Sequence, residues 1–309
     1  MGKYYNSVLE LIGHTPIVKL NRLERELKLN AHIFAKLEFL NPGGSVKDRP
    51  ALNMILEAEK EGLLKSGGTI VEGTSGNTGI GLAMVAAAKG YNIKIAMPEN
   101  MSIERIKILK AYGAEVFLSK KELNMAGAGA LAKEVAESIE GSYTPAQGMN
   151  PNNPGAHYKT TGPEIWDDLD GNIDIFVAAT GTGGTISGVG HYLREKKPDL
   201  PIIAVEPKGS AILNGGEPGL HKIQGIGGGA TPPTTDVSLF NEVIDITDEE
   251  AYEYTKLLPR TEGIFIGISA GAALAAAVKV AQREENKDKN IVIIFPDGGD
   301  HYLSTPELF

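Results

Sequence analysis

Short apolar runs of strand length alternate with longer helical patterns along most of this chain, and that alternation is what most restricts its fold. Residues 33–37, 69–72, 93–97 and 115–118 read as strands, with helices predicted over 49–61, 78–89 and 102–112. The pattern resumes with strands at 173–178, 202–205 and 291–295 and helices at 185–195, 248–257 and 270–284. Strands interleaved with helices predict an α/β fold of open twisted sheets with helices on both faces. A length of 309 residues, at roughly 150 per domain, gives two such domains. The stretch 144–154 carries Pro145, Gly148, Pro151 and Pro154, which argues against regular helix or central strand there. It is taken as the crossing between a smaller, mobile domain over 36–149 and a larger one over 1–35 plus 150–309. In open α/β sheets ligands sit beyond the carboxyl ends of the strands. Several glycine clusters lie at those ends, so the expected site is a cleft between the domains.

Glycine is the compositional signal: 38 copies, about 12% against an ordinary ~7%, gathered at the ends of apolar runs where backbone can approach a ligand closely. Lys plus Arg is 30 and Asp plus Glu is 39, a net charge of −9, which argues against nucleic acid or an anionic membrane as the main partner. The absence of cysteine excludes disulfides, thiolate metal sites and a cysteine nucleophile, and no metal site is expected. No run approaches the ~18 apolar residues of a membrane span, and residues 1–12 do not read as a signal peptide. Gly2 invites a myristoylation reading, but Asn6 stands where that motif wants Ser or Thr. The expectation is a soluble, cytoplasmic protein.

Four clusters carry candidate chemistry. In Asn41-Pro42-Gly43-Gly44-Ser45-Val46-Lys47-Asp48-Arg49 a turn delivers a lysine to a helix start, where the helix dipole and Arg49 favour a neutral amine; the ordinary alternative is a solvated lysine. In Glu72-Gly73-Thr74-Ser75-Gly76-Asn77-Thr78-Gly79 backbone N–H groups and the hydroxyls of Thr74, Ser75 and Thr78 suit a carboxylate, with Gly73 and Gly76 allowing the loop to move. A strand-to-helix turn with Ser or Thr caps explains the same residues, except Asn77, which is read as part of the loop itself. Gly181-Thr182-Gly183-Gly184-Thr185 offers three glycines and two hydroxyls before a helix, suited to phosphate, although it lacks the lysine of a P-loop and the spacing of a dinucleotide fingerprint. In Gly267-Ile268-Ser269-Ala270-Gly271, Ser269 is either an N-cap or a hydroxyl facing a ligand.

Taken in order, the four clusters resemble the fold-type II pyridoxal-phosphate enzymes, whose fold is that of the tryptophan synthase β chain, and most closely the cysteine synthases (O-acetylserine sulfhydrylases). The resemblance extends from Leu11-Ile12-Gly13-His14-Thr15-Pro16 through His221-Lys222-Ile223-Gln224-Gly225-Ile226-Gly227 to Tyr302-Leu303-Ser304-Thr305. It implies pyridoxal 5'-phosphate as cofactor, bound in the larger domain and held as a Schiff base on Lys47. Asn77 would bond the cofactor 3-hydroxyl, Gly181, Thr182, Gly183, Gly184 and Thr185 would hold its phosphate, and Ser269 would face the pyridine nitrogen. Thr74, Ser75, Gly76, Asn77, Thr78 and Gln147 would hold the substrate carboxylate. The implied reaction is β-replacement, making L-cysteine from O-acetyl-L-serine and sulfide through a bound aminoacrylate. The implied partners are these small molecules, a second copy in a homodimer, and the C-terminal peptide of a serine acetyltransferase.

The chain departs from the pattern at several places. Gly73 stands where Pro or Ala is usual, Pro50 where an aliphatic residue is, and Ala270 where a second serine is frequent. Ala230 lies near a position that many cysteine synthases fill with Phe, and Pro296-Asp297-Gly298-Gly299-Asp300-His301 replaces Pro-Asp-Ser-Gly-Glu-Arg. These changes leave the core chemistry and bear on substrate identity. A cystathionine β-synthase-like or cysteine desulfhydrase-type β-replacement with serine, cysteine or homocysteine stands as the alternative. A non-catalytic relative need not keep Lys47, and a nicotinamide dehydrogenase would need the missing fingerprint.

Overall fold

The computed structural model describes residues 4–74, 76–99, 101 and 103–309, so the readings of Gly2, Ser75 and Ser102 fall outside the described residues. The described elements run β1 (Ile17–Lys19), α1 (Asn21–Leu27), β2 (His32–Leu37), α2 (Asp48–Lys60), β3 (Thr69–Gly73), α3 (Asn77–Lys89), β4 (Asn92–Pro98), α4 (Ile103–Ala111), β5 (Glu115–Ser119) and α5 (Asn124–Glu137). They continue with α6 (Asn152–Lys159), α7 (Thr161–Asp168), β6 (Ile175–Ala179), α8 (Gly184–Lys196), β7 (Ile202–Pro207), β8 (Glu242–Ile246), α9 (Asp248–Thr261), α10 (Ile268–Ala281) and β9 (Asn290–Phe295), with short 3-10 turns between some of them. None of the described helices is long and apolar enough to cross a membrane.

The chain divides into two compact units. The larger comprises Gly13–Leu40 and Pro154–Phe309 and holds a six-stranded sheet in the order β1-β2-β9-β6-β7-β8, parallel throughout except for β1, which pairs antiparallel with β2 at the edge. Both faces are covered, as parallel sheets require. On β6, Ile175 and Val177 join a core with Leu23 of α1, Leu258 of α9 and the apolar side chains of α10. Phe176 and Ala178 point the other way, into a second core with Ile165 of α7 and Val189 of α8. Helix α10 is buried nearly all round because it is built from alanine and glycine; a Cβ on Gly271 would lie 2.1 Å from Thr255 Oγ1 of α9, so the two helices touch through bare backbone.

The smaller unit comprises Met1–Ile12, described from Tyr4, and Asn41–Asn153. Its sheet runs β3-β4-β5, all parallel, and Tyr143 pairs beside Ile70 on the outer edge of β3. Ile70, Ile93, Ile95 and Met97 face the core built by α2, α3 and α4, while Val71 and Ala96 face Ala132 of α5. Helices on both faces of both sheets are therefore the observed architecture.

Several boundaries differ from the sequence reading. The start of the chain groups with the smaller unit instead of the larger, because the 3-10 turn Val8–Leu11 brings Leu9 and Ile12 onto the apolar core of α2, α3 and α4. The stretch 144–154 is not irregular to its end: α6 begins at Asn152 with Pro154 in its first turn, where a missing N–H costs no helical bond. Pro50 occupies the same kind of position in α2. Helix α9 starts at a capping box made by Thr247 and Glu250 and runs past Pro259 to Thr261.

Candidate active site

The candidate residues fall into two groups, one in each unit. In the smaller unit the chain leaves the Asn41 turn through Gly44 at φ +82°, a conformation that favours glycine, and Gly44 N–H closes the turn on the Asn41 carbonyl at 2.8 Å. Lys47 follows as the N-cap residue of α2, its carbonyl accepting from Ala51 N–H and its own N–H donating to Ser45 Oγ at 3.2 Å. A Cβ on Gly81 would lie 3.0 Å from the Lys47 carbonyl oxygen, so α3 passes against the lysine's backbone and fixes where its side chain starts. The first turn of α2 is not purely positive, since Asp48 is buried there beside Arg49 and accepts from Gly43 N–H at 2.5 Å.

The second cluster opens α3 at the carboxyl end of β3. Gly76 is the N-cap and makes no side-chain cap bond, so the reading of this turn as a Ser or Thr cap does not describe it, and Asn77 is the first residue of the helix instead of a loop residue. Thr74 and Thr78 are buried. Thr78 Oγ1 donates to Gln147 Oε1 at 2.7 Å, joining two candidates that lie 69 residues apart. Gly73 does not serve loop movement: a Cβ there would meet the backbone of Ala128 and Gly129 in α5 at 3.0 Å, so its bareness lets α5 lie against the strand end. Gly76 has open space around it.

Sequence reasoning missed what holds Gln147. Glu72, buried on β3, accepts from Ala146 N–H at 2.8 Å and from Gln147 N–H at 3.3 Å. Burial pushes its carboxyl up to about 7, outweighing the two N–H groups that act the other way. Asn153 Nδ2 donates to the Gln147 carbonyl at 2.8 Å. The one sign in the sequence was an acid ending the apolar run Ile70-Val71 directly before Gly73-Thr74.

In the larger unit β6 feeds residues 181–185 into α8. Gly183, the N-cap of α8, has φ +74°, and a Cβ there would lie 1.9 Å from Thr235 Oγ1; one on Gly181 would lie 2.5 Å from the Gly225 carbonyl oxygen. The Thr182 carbonyl is tied back by Thr234 Oγ1, which donates at 2.6 Å, and by Thr235 Oγ1 at 3.2 Å. With that carbonyl occupied, the loop's donors are the first N–H groups of α8, which have no helical acceptor. Thr185 Oγ1 lies 3.3 Å from Nε2 of the fully buried His157, whose Nδ1 lies 2.8 Å from Thr161 Oγ1. His157, Thr234 and Thr235 were not singled out in the sequence; a hydroxyl pair after Pro232-Pro233 was a weak sign.

Ser269 is buried in the first turn of α10, but it is not the N-cap; Gly267 is, without a side-chain cap bond. A Cβ on Gly225 would lie 3.9 Å from Ser269 Oγ, and Gly225 in turn backs Gly181, so Gly181, Gly225 and Ser269 come together within this one unit. Ala230 lines a cavity with Thr180, Gly181 and Ser210. A tied-back carbonyl, a left-handed glycine at a helix start and a buried neutral hydroxyl nearby fit a phosphorylated heteroaromatic cofactor.

The sequence model of the family described as pyridoxal-phosphate dependent enzymes matches residues 8–297. The chain belongs to that family. A probable cysteine synthase of Bacillus subtilis is 50% identical over 308 residues, covering 99% of this chain and 98% of the relative. The crystal structure of a cysteine synthase from Entamoeba histolytica superposes with a TM-score of 0.95 at 43% identity, covering 99% of this chain and 91% of that one. A hydrogen sulfide-producing enzyme from Fusobacterium nucleatum superposes with a TM-score of 0.93 at 44% identity, covering 97% and 100%. Pyridoxal phosphate is thus the cofactor of this family member, and the fold is that of fold-type II enzymes.

Proposed function

We propose that this enzyme makes L-cysteine from O-acetyl-L-serine and sulfide, with Lys47 carrying the cofactor. The observation that carries the reading is the 50% identity to a probable cysteine synthase along 99% of the chain. The bound cofactor supplies an electron sink for charge that develops at the substrate Cα. Lys47, which would hold the cofactor, would also be the base whose Nζ takes the Cα proton as acetate leaves Cβ. Sulfide then bonds to Cβ, and Lys47 returns the proton to Cα. Asn77 bonds the cofactor hydroxyl, the 181–185 loop holds the phosphate, and Ser269 gives the ring nitrogen a neutral partner. A neutral partner suits elimination, in which the leaving group drains charge promptly. Thr74, Ser75, Gly76, Thr78 and Gln147 hold the carboxylate and exclude water around it.

The same proposal has the enzyme cytoplasmic and homodimeric, with the carboxylate-holding residues also accepting the C-terminal carboxylate of a serine acetyltransferase. Family resemblance supports these parts, and sedimentation with and without that peptide tests them. The activity is tested by giving purified holoenzyme O-acetylserine, serine or cysteine, each with sulfide or homocysteine. Cysteine formed fastest from O-acetylserine and sulfide is the expected result. Preferential cystathionine formation, or sulfide release from cysteine as the dominant activity, overturns it.

A further inference from the structure

The strongest unassigned feature is the carboxylate of Glu72, which no step of the reaction uses. It sits at the carboxyl end of β3, 3% exposed, and its two oxygens meet two consecutive backbone N–H groups, those of Ala146 and Gln147. Successive N–H groups converging on one anion are the backbone arrangement that favours negative charge. Ala146 has φ +49°, a left-handed conformation that an alanine adopts only when its surroundings hold it there. Its carbonyl accepts from Met149 N–H at 2.8 Å and Asn150 N–H at 3.1 Å, which ties the far side of the turn, while Glu72 ties the near side. Gln147 is held at three points: its N–H by Glu72, its carbonyl by Asn153 and its side-chain oxygen by Thr78. Because Oε1 faces the Thr78 hydroxyl, the amide presents its Nε2 donors elsewhere, as a carboxylate ligand requires.

We infer that Glu72 is a positioning residue for the amino-acid substrate: its carboxylate locks the turn at residues 146 and 147 so that Gln147, its Oε1 already held by the Thr78 hydroxyl, presents Nε2 to the substrate carboxylate. The inference rests on the assignment of Gln147 to the carboxylate. A protonated Glu72 keeps one acceptor for these N–H groups and turns its O–H toward the other, so the lock is complete only in the ionised form. Its surroundings raise that ionisation toward neutral pH. β4 faces it with Ile95 in register, α3 carries no titratable residue before Lys89, and α5 none before Lys133. On the crossing segment Tyr143 feels Glu72, and Glu61 acts on the same phenol. Burial therefore dominates, and substrate affinity falls as pH drops below about 7.

The test is calorimetric binding of L-serine to the holoenzyme, together with KM and kcat for O-acetyl-L-serine, at pH 6, 7 and 8. Wild type should bind about threefold or more weaker at pH 6 than at pH 8, tenfold per pH unit being the limit for one coupled proton. Glu72→Gln should bind about tenfold weaker at pH 8, lose the pH dependence and affect kcat much less than KM. Adding Ala146→Gly, which removes the conformational penalty of the turn, should restore part of the affinity. Wild-type affinity with a wild-type pH profile in Glu72→Gln overturns the inference. If Glu72→Gln does not fold, Glu72→Asp carries the test, since its carboxylate is one methylene short of both N–H groups; wild-type binding by that variant also overturns it. Gln147→Ala separates the two levels: if it leaves L-serine binding unchanged, the carboxylate assignment itself is wrong.

Discussion

Gly183→Ala is the substitution for which the structure sets the largest local effect in the phosphate loop. Two costs act together. At φ +74° an alanine pays roughly 1–2 kcal/mol for the left-handed conformation. Its Cβ would also lie 1.9 Å from Thr235 Oγ1, 2.5 Å from Thr235 Cβ and 2.7 Å from Thr235 Cα, and the last is backbone that no rotamer change moves. Displacing Thr235 sacrifices its 3.2 Å bond to the Thr182 carbonyl, worth about 1 kcal/mol, and loosens the tie that keeps that carbonyl turned back. A loop penalty of about 3 kcal/mol corresponds to roughly a 100-fold loss of cofactor affinity if the phosphate must organise the loop on binding. Spectrophotometric titration of the apoprotein with pyridoxal phosphate measures it. Gly228→Ala is the control, because its Cβ meets nothing within 4 Å and its φ is not left-handed. The reasoning is refuted if Gly183→Ala binds the cofactor within threefold of wild type, or if Gly228→Ala weakens it equally.

Borohydride reduction of the holoenzyme should fix the cofactor to a single peptide containing Lys47, and Lys47→Ala should fold but form no cysteine; label on another lysine refutes the assignment. Ser269→Asp should shift the visible absorption of the bound cofactor and slow β-replacement, because a carboxylate favours a protonated ring nitrogen where the hydroxyl does not; an unchanged spectrum means that another group meets the nitrogen. Glu72 also makes a stability prediction: its folded-state carboxyl is raised from 4.5 to about 7, so its contribution is fully present below pH 4.5 and is lost as pH rises through 7. By linkage, wild type should lose about 3 kcal/mol relative to Glu72→Gln across that window, read from denaturant unfolding, and parallel stability curves for the two proteins refute the shift.

What could be read in the sequence follows from how each feature is encoded. Parallel strands buried on both faces are continuous apolar runs, so β6, β7 and β9 stood out, as did the amphipathic α2 and α9. β1 is three residues long and β8 is an edge strand written Glu-Val-Ile-Asp-Ile, and neither presents a run long enough to separate from a loop. Helix α5 begins Asn-Met-Ala-Gly-Ala-Gly, a poor helical start by propensity, and its place beside β3 depends on Gly73 having no side chain. The candidate site divides in the same way. Lys47, Asn77, Ser269 and the 181–185 loop announce themselves because glycines, hydroxyls and a lysine crowd into a few consecutive positions. Glu72 is separated from Ala146 by 74 residues, Thr234 from Thr182 by 52 and His157 from Thr185 by 28, and only the fold makes them neighbours. Ala146 is the sharpest case. A glycine there would have signalled a left-handed turn from the sequence alone, whereas an alanine at φ +49° signals nothing until the carboxylate that holds it is seen. A conformation that the residue itself resists must be maintained by its contacts, so the turn can be released by changing one proton on Glu72, whereas a glycine at the same place would keep the left-handed conformation without it.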